Sequence, residues 1–482
     1  MIPRVIYSRG SVCFRAPAPQ AVTAMQTAPA YRRYSAKIYR PDGSAKTVKE
    51  ELSALGKHIR DIIVATGPIS IAKYMQLALT SPVGGYYTRG QVFGRAGDFV
   101  TSPEISQMFG ELMAVWFVLH WEQLGRPSKT ALVELGPGRG TLMDDMLRAA
   151  RRFPQFFASV QRVCLVERSP ELRRVQHAAL GCSWEQTARV ADAGGEVPER
   201  ATSGRGIPVE WHDVVDEICM GDAVPLVVAH EFFDALPIHK FEKGSGDLWH
   251  EILVDVAESP SEGTQASTAK YAGSTQTTGP PDACHFKYVR TRSVSASAAL
   301  LLRSPGFSAR FDKGDQIEVS PESARIMEQL ASWISAHRGL GLVIDYGQDW
   351  TQGDTFRGIK SHRFANPLSA PGSMDLTADV DFSYLRFAAS SHATCHGPVE
   401  QGAFLHALGI QARLQQLLQL TKDTKVQRNL VDCYKRLTDP QSMGRVYKVL
   451  AVLPKASEFV PVPFAPPSKE ELNSLKVEKI VK

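Results

Sequence analysis

The run Thr130-Ala131-Leu132-Val133-Glu134-Leu135-Gly136-Pro137-Gly138-Arg139-Gly140-Thr141-Leu142-Met143-Asp144-Asp145-Met146-Leu147 decides the fold. Its first six residues read as a short, largely buried strand over 130–135. The glycines that follow let the backbone turn tightly and approach a ligand closely. Residues 141–153 then carry a helical pattern, and the start of such a helix presents free N–H groups. A dinucleotide loop has the spacing G-x-G-x-x-G, whereas here the third glycine comes one residue early. Asp144 and Asp145 also make this helix start a poor place for a pyrophosphate.

Working outward, a second strand over 160–166 ends at Glu167, 27 positions after Gly140. A carboxylate there can accept hydrogen bonds from both hydroxyls of a ribose. Trp211-His212-Asp213 follows a third strand. Asp213 either takes an adenine amino group or is a solvated loop aspartate. Further strands are expected over 225–229 and 340–344, the latter closing on Asp345. Upstream, 50–79 is helical and punctuated by Gly67-Pro68, and 82–98 is Gly-rich. Thr101-Ser102-Pro103-Glu104 reads as a capping box opening one helix to about 124, with Ile105, Phe109, Leu112, Trp116 and Leu119 as its buried stripe.

The expected fold class is therefore α/β: a doubly wound, Rossmann-like parallel sheet with an N-terminal helical segment and helical and loop insertions. The expected division places a helical region lining substrate or cofactor at 45–125 and the sheet domain at 126–455. Within that domain, 186–205 and 258–282 lack periodicity and read as mobile loops, and 400–437 is helical. A poorly ordered tail is expected over 456–482.

The chain has 482 residues, 43% hydrophobic and 22% charged, which excludes a largely disordered or fibrous protein. No apolar run approaches the ~18–20 residues of a membrane span. The formal charge of +5 invites a nucleic-acid reading, but it is unevenly placed. Residues 1–41 hold no acid and carry Arg4, Arg9, Arg15, Arg32, Arg33, Lys37 and Arg40 among Ser, Ala and Thr. That composition predicts a mitochondrial transit peptide over 1–34, with cleavage between Tyr34 and Ser35. Removing its five arginines leaves 50 basic against 50 acidic residues, so no nucleic-acid partner is expected. Seven scattered cysteines without a C-x-x-C pair suit a reducing compartment. His392, Cys395 and His396 form the one local cluster of soft ligands, in a stretch read as a loop, and no metal site is expected.

An acid before G-x-G-x-G resembles motif I of S-adenosylmethionine (SAM) methyltransferases, in which the acid pairs with the cofactor's ammonium group. Longer stretches extend the likeness: 97–107 (Gly-Asp-Phe-Val-Thr-Ser-Pro-Glu-Ile-Ser-Gln), 230–237 (His-Glu-Phe-Phe-Asp-Ala-Leu-Pro), Asp345-Tyr346-Gly347, 375–382 (Asp-Leu-Thr-Ala-Asp-Val-Asp-Phe) and 443–450 (Met-Gly-Arg-Val-Tyr-Lys-Val-Leu). Together they resemble the MidA-like SAM-dependent methyltransferases over roughly residues 50–455. The resemblance implies SAM as cofactor, with Glu134, Gly136, Gly138, Gly140, Glu167 and Asp213 around it. It also implies a matrix enzyme that symmetrically dimethylates arginine on a core iron–sulfur subunit in the peripheral arm of respiratory complex I, early in assembly. Bacterial members of the family often carry Asn where this chain has His230.

Methyl transfer to arginine brings a cationic guanidinium to a cationic sulfonium. At 4 Å their repulsion is ~4 kcal/mol at an effective dielectric of 20. Flanking carboxylates offset that repulsion, hold the guanidinium bidentately and aim one nitrogen. Glu231 and Asp234, after the fourth strand, are the expected pair, with His230 beside them and Phe232 and Phe233 excluding water. Glu104 is accounted for by its cap, with the alternative that it lines the active site. Asp375, Asp379 and Asp381 read as backbone-capping or arginine-binding acids rather than metal ligands. The competing readings are a non-catalytic assembly chaperone with the same fold and a nicotinamide-dependent oxidoreductase.

Overall fold

The computed structural model describes residues 52–88, 101–184, 199–246, 248–257, 284–302, 310–350 and 353–465, together with the backbone at 189–190 and 196–197. The expected leader over 1–34, the 258–282 loop, residues 97–100 and the chain beyond 465 lie outside the described residues. Among the described residues the central sheet has ten strands, of which the seven longest are β1 (Thr130–Leu135), β2 (Val160–Val166), β3 (Pro208–His212), β4 (Val224–His230), β5 (Leu340–Gln348), β6 (Ala393–Glu400) and β7 (Tyr447–Pro454). Their order is β6-β7-β5-β4-β1-β2-β3. Strands β1 to β5 run parallel, whereas β7 lies antiparallel to both of its neighbours. The sheet is thus mixed rather than wholly parallel. A strand buried on both faces shows the same continuous apolar run whichever way it points.

Alternation along β1 and β4 divides the core between the two faces of the sheet. Leu132, Leu226 and Val228 pack with Phe109, Trp116 and Phe117, while Val133, Val227 and Ala229 face Ile326, Leu330 and Ile334. The expected single helix from 101 to 124 is two, α3 (Ser102–Ile105) and α4 (Gln107–Gln123), broken at Ser106. The Ser106 hydroxyl takes over the cap, accepting from the Met108 N–H at 3.3 Å. Thr101 makes no side-chain cap bond, and Leu119 of the expected stripe is 37% exposed. Helix α5 (Thr141–Ala150) crosses α4 where Gly110 lets it in: a Cβ there would stand 2.5 Å from Asp145 Cβ.

A second, antiparallel sheet was not legible in the sequence. It joins Ile69–Ser70, His239–Lys243, Trp249–Val256, Phe286–Arg290 and Gln316–Val319. Helices α1 (Ala54–Thr66) and α2 (Ile71–Thr80) cover it, burying Ile59, Ile63, Tyr74 and Met75 against Val254 and Phe286. Its strands hide because they bury paired charges where apolar residues are expected. Lys240 reaches Asp354 at 2.8 Å, Arg290 reaches Glu242 at 2.6 Å, and Glu318 accepts from the Thr355 N–H at 3.1 Å.

Three loop or tail expectations also change. Within 186–205, Arg200–Thr202 pairs with β3 and extends the central sheet. His392, Cys395 and His396 lie at and in edge strand β6, where burial pushes the Cys395 thiol up to about 12. The first part of the expected tail is docked. Trp116 Nε1 donates to the Val462 carbonyl at 2.7 Å, the Val462 N–H donates to His120 Nε2 at 3.1 Å, and Phe459 stacks on His120.

Candidate active site

The carboxyl ends of β1, β2 and β4 open into a cavity of about 910 Å³, at the upper end of the range for small-molecule sites. Of the residues expected around it, Glu134, Gly136, Gly138, Glu167, Asp213, His230, Glu231 and Asp234 all line it. Gly140 does not. At φ +82° it is the left-handed start of α5, packed against Gln176, with its missing Cβ 3.3 Å from Gln176 Cα. That glycine serves helix packing.

At one end of the cavity, Glu134 is 3% exposed and its Oε2 has no hydrogen-bond partner. Burial alone pushes its carboxyl up to about 8. The carboxylate of Glu167 accepts from the Ser169 N–H at 2.7 Å and from Gln176 Nε2 at 3.2 Å, and burial holds it at about 7. Arg173 ties the two outer acids together, donating to the Glu167 carbonyl at 2.7 Å and to Asp213 at 2.5 Å. Gln176 had no sequence signal, yet it is fully buried and also binds the Gly138 carbonyl at 2.7 Å and Trp211 Nε1 at 2.9 Å.

At the other end, β4 runs out in a backbone that ordinary side chains avoid: Glu231 sits at φ +49°. Its N–H is held by the Ile344 carbonyl at 2.9 Å. The Ser102 N–H and the Tyr447 hydroxyl face its carboxylate and favour the ionised form, while Oε1 is buried without a partner. Burial first, then the neighbouring Asp234, pushes Glu231 up to about 8. His230 Nε2 stands 3.5 Å from that oxygen, also unpartnered, and burial lowers the imidazole to about 3, so it is neutral. Asp234 offers a buried, unpartnered Oδ1. Three unsatisfied polar atoms at one strand end are costly in a folded protein and mark the place of a polar ligand.

The neighbours divide differently from expectation. Phe232 lines the cavity against Gly136, but Phe233 is core, 3% exposed. Glu104 is not a cap: it lines the cavity, 3.6 Å from Arg139 Nε, and burial raises its carboxyl. Asp375 also lines the cavity and accepts from the Tyr87 hydroxyl at 2.9 Å. Asp379 pairs with Arg357 at 2.6 Å, and Asp381 caps the helix Phe382–Ala389. Among the described residues, one trio has metal-ligand spacing, Cys164, Glu210 and His212. Its carboxylate is already shared with Arg162 and Arg200, at 3.8 and 3.9 Å.

Residues 112–399 match a family model described as "Putative S-adenosyl-L-methionine-dependent methyltransferase". The chain belongs to that family. It is 40% identical over 418 residues, 86% of this chain and 88% of the relative, to the Drosophila melanogaster protein named "Protein arginine methyltransferase NDUFAF7 homolog, mitochondrial". To the Homo sapiens "Protein arginine methyltransferase NDUFAF7, mitochondrial" it is 38% identical over 403 residues, 83% of each chain. A structure from Burkholderia thailandensis bound to S-adenosyl-homocysteine shares the fold, with a TM-score of 0.65 at 24% identity over 87% of this chain and 96% of that one. With the family shown, the nicotinamide reading falls. The described residues fit SAM. Orphaned Glu134 Oε2 suits an ammonium, the open space over Gly138 at φ +53° suits a close backbone approach, and Glu167 suits a ribose.

Proposed function

We propose that this methyltransferase is a protein arginine N-methyltransferase of the mitochondrial matrix. Its product is symmetric dimethylarginine on a core iron–sulfur subunit in the peripheral arm of complex I, made early in assembly. The observation that carries the reading is the pair of unpartnered buried carboxylate oxygens, Glu231 Oε1 and Asp234 Oδ1, sharing one cavity with the Glu134 and Glu167 end. The printed names of the fly and human relatives supply arginine and the mitochondrion. The resemblance of the quoted motifs to the MidA-like methyltransferases supplies the degree of methylation and the client.

When bound, SAM supplies an activated methyl group on a sulfonium. The chain's own residues do the rest. Glu231 and Asp234 receive the guanidinium, balance its charge and turn one nitrogen toward the cofactor end. Phe232 closes the cavity wall over Gly136 and keeps water from the space between. The Glu231 carboxylate accepts the proton that the substituted nitrogen gives up, with neutral His230 3.5 Å away to orient it.

The test supplies tritiated SAM and the complex I core subunits to the wild-type protein and to Glu231→Ala. Label on one subunit, resolved by mass spectrometry as symmetric dimethylarginine and lost in the variant, is the expected result. Undiminished label in the variant overturns the role of Glu231 in receiving the guanidinium. An assembly defect rescued equally by both proteins favours a non-catalytic chaperone.

A further inference from the structure

Two of the motifs quoted from the sequence, Asp345-Tyr346-Gly347 and the stretch 375–382, have no part in the chemistry above, yet they meet directly behind Asp234. Gly347 and Val380 pair as parallel strands, and the glycine is what allows it: a Cβ at Gly347 would stand 2.0 Å from the Val380 carbonyl oxygen. That pairing brings Thr377 to the Tyr346 hydroxyl. Both hydroxyls then bind the same oxygen of Asp234, Oδ2, with Thr377 at 2.9 Å and Tyr346 closer. Oδ1 is left buried and unpartnered. The backbone is pinned as well: the Asp234 carbonyl accepts from the Ala378 N–H at 3.1 Å. The Asp345 carboxylate accepts from the N–H groups of Phe233 and Asp234 at 3.0 and 3.3 Å.

Behind Tyr346 lies a cation. The Arg357 guanidinium sits over the Tyr346 ring, 5.2 Å from its centroid, and is itself held by Asp379 at 2.6 Å. A cation over a phenol ring makes its hydroxyl a stronger donor. Neither Tyr346 nor Arg357 lines the cavity. Burial pushes Asp234 up, while Tyr346, Thr377 and the charge of Arg357 pull it back toward the ionised form.

We propose that Tyr346 and Arg357 are positioning residues for the methyl acceptor: they fix the Asp234 carboxylate so that one oxygen is consumed by the protein and the other is offered to a planar cation such as guanidinium. The inference rests on the reading that Asp234 receives the substrate. A structural role alone predicts lost stability; a positioning role predicts a changed pH profile and a changed KM with cofactor binding intact.

The experiment compares the wild-type chain with Asp234→Asn, Tyr346→Phe, Arg357→Gln and Arg357→Lys. Each is measured for S-adenosyl-homocysteine affinity and for kcat and KM toward an arginine-containing client from pH 6 to 9. Expected are unchanged cofactor affinity throughout, a KM raised about tenfold in Tyr346→Phe and Arg357→Gln, and an acid limb of kcat/KM moved to higher pH. Arg357→Lys should recover much of the loss. If Asp234→Asn cripples turnover while Tyr346→Phe and Arg357→Gln leave KM and the pH profile at wild-type values, the positioning role is wrong and the acceptor reading stands. If Asp234→Asn itself is silent, both fall.

Discussion

Arginine binding at the proposed acceptor end should release a proton from this protein, because Glu231 is uncharged in the ligand-free protein. Burial and Asp234 hold its carboxyl at about 8, so at pH 7 about nine molecules in ten carry the proton there. A guanidinium beside it favours the carboxylate, so the group must ionise as the substrate enters. The arginine side chain keeps its charge across the whole range, and the pH signal therefore belongs to the protein. Affinity should follow the ionised fraction. It rises about tenfold between pH 7 and pH 9, or ~1.4 kcal/mol, and falls about tenfold for each unit below 7. The assay is titration calorimetry of an arginine-containing client at saturating S-adenosyl-homocysteine, in buffers of different ionisation enthalpy, so that Glu134 and Glu167 have responded beforehand. Close to one proton released at pH 7 is expected. Glu231→Gln should abolish the slope and weaken binding at pH 9 by about ten- to a hundredfold, as loss of a hydrogen bond to a charge does. Proton uptake, no proton exchange, or the same slope in the variant would refute the reasoning.

Glu134 gives a second pH effect. Its folded-state carboxyl, at about 8, lies above the ordinary 4.5, so the ligand-free fold binds the extra proton and loses stability as pH rises between those values. Glu134→Gln should therefore raise the ligand-free Tm at pH 8 but not at pH 4, while diminishing the Tm gain from S-adenosyl-homocysteine. Gln176→Ala removes the link among Gly138, Glu167 and Trp211 and should cost ~1–3 kcal/mol of stability in denaturant melts, together with cofactor affinity. Gly138→Ala should leave the fold close to wild-type stability, losing ~1–2 kcal/mol to its φ of +53°, and the remaining loss should appear in cofactor affinity. Truncation after Lys455 strips partners from buried Trp116 Nε1 and His120 Nε2 and should lower Tm at equal activity per folded molecule.

The elements around the proposed cofactor end were legible, because each of them is local. A strand, a glycine turn and an acid at the next strand end are read from neighbouring residues, and β1, β2 and β4 lie within a residue of their expected bounds. The acceptor half was legible only as motifs. Nothing local says that Tyr346, Thr377 and Tyr447 converge on Asp234 and Glu231, since that meeting depends on pairings between strands far apart in the chain. Glu104 misled for the opposite reason: its spacing satisfies a local cap, and only the tertiary contact with Arg139 shows where the side chain goes. The second sheet escaped because ion pairs replace apolar alternation in its strands.

The reversed strand β7 has a consequence for the order of events in the life of the chain. It comes late in the sequence yet occupies an interior place, between β5 and β6, and its first residue, Tyr447, turns a hydroxyl toward Glu231. A chain that emerges amino end first can lay down β1 to β5 and close the glycine turn long before that strand exists. Until it arrives, β5 presents a bare edge open to pairing with a wrong partner. The acceptor end is then unfinished while the cofactor end stands ready. Turnover in this protein is thus a report that synthesis has run past Tyr447.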